Sequence, residues 1–157
     1  MRISHAPADH VCTFCAIAAG RDGIRTTHDH VVLHDEDVTA FVASHWWPNN
    51  PGHVLVIPNE HWENLYEIPA SLGTPLLAAT QRIALAFKAV TRCDGVSTRQ
   101  HNEPAGNQDI WHFHQHVFPR FVGDDLYRRH REKAAAPPEE CAAVALRLRA
   151  ALGGSEG

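Results

Sequence analysis

Three histidines stand at alternate positions in His112-Phe113-His114-Gln115-His116-Val117-Phe118, with Pro119-Arg120 behind them. Side chains alternate between the two faces of an extended strand, so His112, His114 and His116 are predicted to share one face at intervals of about 7 Å. On a helix the same three would spread around the cylinder, because a period of two does not match 3.6. Phe113 and Val117 then turn toward a core, with Gln115 the polar exception. Neutral imidazoles converging on one face suit two chemistries. One is metal binding. The other is phosphoryl or nucleotidyl transfer, in which one imidazole attacks phosphorus while its neighbours stabilise charge or move protons.

Two further groups carry chemistry. Cys12-Thr13-Phe14-Cys15 places two thiols at a spacing that supplies half of a tetrahedral zinc site. A redox pair or two buried reduced cysteines are the alternatives, although no βαβ pattern surrounds them as in thioredoxin-like proteins. Asn102-Glu103-Pro104-Ala105-Gly106-Asn107-Gln108 forms a tight loop feeding the histidine run. Backbone N–H groups of such a loop can hold phosphate oxygens, and Gly106 permits close approach without a Cβ.

Taken in order, these stretches resemble the signature of the histidine triad (HIT) superfamily. The histidine run with Pro-Arg, the Asn102–Gln108 lead-in, Pro51-Gly52-His53-Val54-Leu55-Val56-Ile57-Pro58-Asn59-Glu60-His61 and Cys12-Thr13-Phe14-Cys15 match its motifs between Cys12 and Arg120. The resemblance implies an α+β fold, with a five-stranded antiparallel sheet, one long packed helix and a C-terminal helix. It implies a hydrolase that cleaves at the α-phosphate of a purine nucleotide derivative. His114 would be the nucleophile, His116 a donor to a non-bridging oxygen, and His53 a support for His114 or the phosphate. Asn102 and Gln108 would contact the phosphate or leaving group. Zn2+ would be held by Cys12, Cys15, His61 and His112. Family members usually pair as homodimers. The competing class is a nucleotide-binding regulatory module that keeps the pocket without useful turnover.

Three features depart from the family or divide its branches. Ala43 falls where members commonly carry an acidic residue that contacts the ribose, and the loop after it is about two residues longer. Asp109 replaces the Ser or Thr found in many members, and a carboxylate beside a phosphate repels it unless protonated or paired. Gly123-Asp124-Asp125-Leu126-Tyr127 and the closing helix look like the dinucleoside polyphosphate hydrolases, whereas the Cys-x-x-Cys looks like bacterial members of unassigned substrate. Another branch cleaves phosphoramidates.

The elements that must position these residues follow from patterning. Residues 1–10 read as a loose polar arm, 11–122 as the HIT domain and 123–157 as an extension with a helix. Val31-Val32-Leu33-His34 and Val38-Thr39-Ala40-Phe41-Val42 predict a hairpin around Asp35-Glu36-Asp37. His53 opens a β-branched strand that ends at Pro58. Residues 71–91 predict the clearest helix, with an apolar stripe of Leu76, Ala79, Ile83, Phe87 and Val90, Thr74 as N-cap and Pro75 at the first helical position. Residues 96–101 alternate as a strand, and Pro137-Pro138-Glu139-Glu140 opens a last helix ended by Gly153-Gly154. Trp46 and Trp47 either cover the core or wall a base site, core cover being the expectation.

With 157 residues, 44% of them hydrophobic and 20% charged, the chain reads as one globular domain with no internal repeat. A net charge of −4 argues against a general nucleic-acid surface. No apolar run approaches the roughly 20 residues that span a bilayer, and the first residues lack the apolar core of a signal peptide. Four cysteines without such a signal read as cytoplasmic thiols or metal ligands.

Overall fold

The computed structural model describes residues 4–153. In chain order the elements are α1 (Thr13–Ala18), β1 (Val31–His34), β2 (Val38–Val42), β3 (His45–Trp46), β4 (Val54–Pro58), α2 (Gly73–Thr91), β5 (Gly95–Gln100), β6 (Gln115–Arg120), β7 (Ala134–Ala135) and α3 (Pro138–Gly153). Five strands form an antiparallel sheet in the order β1-β2-β4-β6-β5, while β3 and β7 make a separate two-stranded ladder. This is the α+β architecture that the histidine triad resemblance implies.

The alternation of the middle strands divides the interior into two layers. Val38, Ala40 and Val42 of β2, Val54 and Val56 of β4 and Val117 of β6 face a core shared with α2 and α3. Phe41, Leu55 and Ile57 point the other way and pack with Phe14 and Ile17 of α1. Both strand faces are therefore covered, which is why β2 and β4 are buried throughout. The second, thinner layer is where the site forms.

Helix α2 buries Leu76, Ala79, Ile83, Ala86 and Phe87, with Val90 partly buried beside them. Its start differs from the expectation. A single 3-10 turn over Ala70–Leu72 leads directly into Gly73, so Leu72 occupies the cap without a side-chain bond and Thr74 lies inside the first turn. Pro75 is tolerated there because N–H groups of the first turn have no helical partner. At the far end Lys88 donates to the carbonyls of Cys93 (2.7 Å) and Asp94 (3.3 Å).

The C-terminal extension is tied into the same body. Arg120 makes a two-pronged ion pair with Asp124 (Nε–Oδ2 2.7 Å, Nη2–Oδ1 2.8 Å), and Asn50 and the backbone N–H groups of Phe121 and Leu126 also donate to that carboxylate. Cys141, Ala145 and Leu148 of α3 then enter the main core. Gly154 and residues 1–3 of the expected arm lie outside the described residues. The rest of the arm is not loose at its start: Ser4 Oγ and the His5 N–H both donate to the Glu63 carboxylate.

Candidate active site and metal centre

The strand expected for the histidine run begins later than its alternation predicts. Only His116 lies in β6, whereas His112 and His114 occupy the irregular approach to it. The approach is fixed by other bonds: the Phe113 N–H donates to the Trp62 carbonyl, and Phe113 still enters the main core. All three histidines nevertheless stay on the side opposite that core, but in two different environments.

His112 belongs to a cluster of two cysteines and two histidines that could hold a metal ion. Cys12 caps α1, its Sγ accepting from the Cys15 N–H, so both thiols leave one end of the helix. His61 arrives just after β4. Sulfur and nitrogen lie close: Cys15 Sγ is 3.2 Å from His61 Nδ1 and Cys12 Sγ is 3.4 Å from His112 Nδ1. One ligand atom from each of the four residues falls within 4.8 Å of every other. The His112 Nε2–H donates to the Pro58 carbonyl (2.9 Å), which leaves the Nδ1 lone pair facing the thiols. Burial and the adjacent Cys12 push the Cys15 thiol up to about 12, an arrangement that a dication would reverse by favouring thiolate. Two sulfurs and two oriented imidazoles fit a structural zinc site.

His114 faces a cavity of about 400 Å3, within the range of small-molecule sites. Its Nδ1–H donates to the His112 carbonyl (2.7 Å), so the Nε2 lone pair is the free one. That nitrogen lies 4.0 Å from Asp109 Oδ1. His53, fully buried, is 3.4 Å from His116 (Nε2 to Nδ1). His53 Nδ1 has no hydrogen-bond partner. An orphaned acceptor costs less than an orphaned N–H, so the pair is satisfied best with His53 Nε2–H donating to His116 Nδ1. His116 then has Nε2–H left to offer a ligand.

Burial disfavours the charged form of these imidazoles. Burial, followed by nearby Arg99, pushes His53 down to about 3. Burial also lowers His116 well below the usual imidazole range, with His53 adding to it, and lowers His114 and His45. Apolar lining comes from Phe14, Phe41, Leu55 and Ile110. Trp46 covers the core as expected, but Trp47 lines the cavity, packs against His53 and Phe118, and donates to the His130 carbonyl (3.1 Å). Ala43 lines the cavity too and brings no acid to it.

Three of the expected substrate contacts do not reach this cavity. Gln108 is buried with its amide fully used: Nε2 donates to the carbonyls of Glu63 (2.6 Å) and Ile110 (3.0 Å), and Oε1 accepts from the Glu103 N–H. Asn102 accepts from the Leu65 N–H (2.7 Å) and bonds with Gln100. The Gly106 carbonyl accepts from His101. These residues brace the loop that carries Asp109, and Asp109 itself does line the cavity. Conversely, Arg25, His45 and Lys133 line it without having been singled out, and Arg99 stacks over Trp47 and Phe118 (5.0 and 4.5 Å) behind it. No motif spacing marks them, because they arrive from segments far apart in sequence.

The His114 and His116 imidazoles line the cavity, and the Cys12, Cys15, His61 and His112 cluster lies next to it through His112. A model of the HIT domain matches residues 25–123. The chain belongs to the HIT domain family. An uncharacterized HIT-like protein of Saccharolobus solfataricus is 32% identical over 73% of this chain and 77% of its own. The crystal structure of a Zn-bound histidine triad family protein from Mycobacterium smegmatis superposes with a TM-score of 0.72 at 32% identity, covering 91% of this chain and 94% of that one. That Zn-bound HIT relative agrees with the Cys12, Cys15, His61 and His112 cluster. A more distant relative, named adenosine 5'-monophosphoramidase, from Saccharomyces cerevisiae, is 28% identical over 73% of this chain and 67% of its own.

Proposed function

We propose that this HIT protein hydrolyses a purine nucleotide derivative at its α-phosphate, through a nucleotidyl-His114 intermediate. The observation that carries the reading is the fixed tautomer of His114, with Nδ1–H spent on a backbone carbonyl and Nε2 free toward the cavity. In the first step the Nε2 lone pair forms a bond to phosphorus and the bond to the leaving group breaks. A leaving amine takes a proton from solvent as it departs, whereas a phosphate leaving group departs as its anion. Water then attacks the phosphoramidate, the nucleoside monophosphate leaves and His114 is restored, which replaces one high barrier with two lower ones. The His116 Nε2–H would stabilise the charge that builds on a non-bridging oxygen. His53 positions His116 rather than touching the phosphate. Asn102, Gly106 and Gln108 act by holding Asp109 and the approach to His112.

Bound zinc would serve as a fixed structural cross-link between α1 and the His112 strand approach, with no part in the chemical step. Residues 11–122 carry the reaction, and Lys133 of the extension that follows them completes the cavity. Cytoplasmic residence goes with this reading, since Cys12 and Cys15 must stay reduced to hold a metal. Two copies pair through the β5 side of the sheet, where Leu65, Ile68, Leu76 and Leu77 line a groove.

The test is intact-protein mass spectrometry after brief acid-quenched mixing with adenosine 5'-phosphoramidate or a diadenosine polyphosphate. An added AMP mass that disappears in His114→Ala is expected. Nucleotide binding with neither adduct nor AMP release would instead identify a regulatory module without turnover.

A further inference from the structure

Lys133 enters the cavity from a short strap just before α3. The strap is held by a backbone ladder: Ala134 lies opposite Trp46, Ala135 opposite His45, and the Ala136 N–H donates to the Ser44 carbonyl (2.9 Å). Lys133 Nζ stands 3.6 Å from Asp109 Oδ2 and 5.7 Å from the centre of the Trp47 ring. The other oxygen of the same carboxylate is 4.0 Å from His114 Nε2. Asp109, the one carboxylate among the described lining residues, therefore sits between a cation and the attacking nitrogen.

A phosphoryl group presented to His114 meets that carboxylate first, and the two anions repel. Displacing Asp109 is easy. Its side chain is 64% exposed and that of Lys133 40%, and exposed ion pairs of this kind contribute little. Lys133 stays at the cavity when Asp109 leaves, because the ladder fixes the backbone beside it and its ammonium has the Trp47 ring face to lie over. Its ammonium is a compact charge with three donors and accepts a new oxyanion in place of the old one.

We propose that Lys133 is a specificity-determining residue that exchanges Asp109 for an anionic oxygen of the substrate as the cavity fills. The pair sets a minimum charge on the ligand. A ligand that brings an anionic phosphate oxygen displaces Asp109, and an uncharged nucleoside does not. The proposal rests on the hydrolase reading for the nucleotide nature of the substrate and adds the rule by which the site selects among nucleotides.

Calorimetric titration of the zinc-loaded full chain with adenosine, AMP and ADP tests it, using wild type, Lys133→Met, Lys133→Arg, Asp109→Asn and the Asp109→Asn/Lys133→Met double variant. Lys133→Met is expected to weaken AMP and ADP about tenfold while leaving adenosine unchanged, as losing a charged hydrogen-bond partner does. Lys133→Arg should restore most of that loss. Asp109→Asn should tighten AMP, and this gain should vanish when Lys133 is also removed, because the two residues act through one exchange. A gain that persists in the double variant overturns the exchange and leaves simple repulsion by Asp109. Equal nucleotide affinities and turnover in wild type and Lys133→Met overturn the proposal while the hydrolase reading stands. Wild type that binds none of the nucleotides removes both.

Discussion

His53 couples the site to the stability of the fold. It is buried against Phe118 and Trp47, and burial with Arg99 nearby holds its pKa down to about 3. The unfolded chain has no such restraint, and its imidazole takes up a proton as pH falls through about 6.5. The unfolded state therefore binds more protons between those values, so His53 makes the fold less stable as pH falls from about 6.5 toward 3 and has no such effect above that window. His53→Gln removes the titration. The urea midpoint of the variant should fall less than that of wild type between about pH 7.5 and about pH 5. Equal losses in both proteins would assign the pH dependence to other groups. The histidines were legible in the sequence because their type and spacing are rare together. Lys133 and Arg99 were not, because a single basic residue in a polar stretch carries no pattern, and only the β3–β7 ladder and the Trp47–Phe118 wall give them a place.

Among the elements, α1 is too short to stand alone. Six residues form at most two turns, and isolated helices shorter than about 12 residues are marginal in water. What holds it is Phe14 and Ile17 in the thin layer and the Cys12–Cys15 end beside His61 and His112. Removing zinc with a chelator, or making Cys12→Ser/Cys15→Ser, is expected to lower Tm by about 10 °C, in line with the loss of a few kcal/mol from a small domain. Metal analysis should give one zinc per chain before and none after. Since Phe14 also lines the cavity, KM should rise more than kcat falls. An unchanged melting curve after complete zinc loss would refute the cross-link. The main sheet and α2 were readable because alternation and the 3.6-residue stripe are long enough to count. The start of α2 was not, because a 3-10 turn displaced the Thr74 cap, and the two-residue strands β3 and β7 are too short to leave a period. The late start of β6 has the same origin: the Phe113 bond to Trp62 takes over from the ladder before Gln115.

At the scale of the whole molecule, the two edges of the sheet are treated differently. On the β1 side, Arg149 of α3 donates to the carbonyls of Val31 (2.6 Å) and Asp29 (3.0 Å), which occupies backbone acceptors there. β5 forms the opposite edge, and an uncovered edge of this kind is a template for a second chain. Beside it runs the groove lined by Leu65, Ile68, Leu76, Leu77 and Phe113, with Leu77 71% and Leu65 52% exposed. Apolar side chains gathered along an open edge are what a monomer avoids and a symmetric pair buries. A pair formed there keeps clear of the cavity, which lies on the other side of the sheet with Phe14 and Phe41, so each copy retains its own His114. Wild type is expected to show twice 17.4 kDa by light scattering at high micromolar concentration. Leu77→Lys places a charge in the groove without touching the core, because this side chain is already exposed, and should shift the mass to that of one chain while the melting curve keeps its shape. A wild-type monomer at the same concentration, or a Leu77→Lys protein that remains paired, would rule out this edge as the interface.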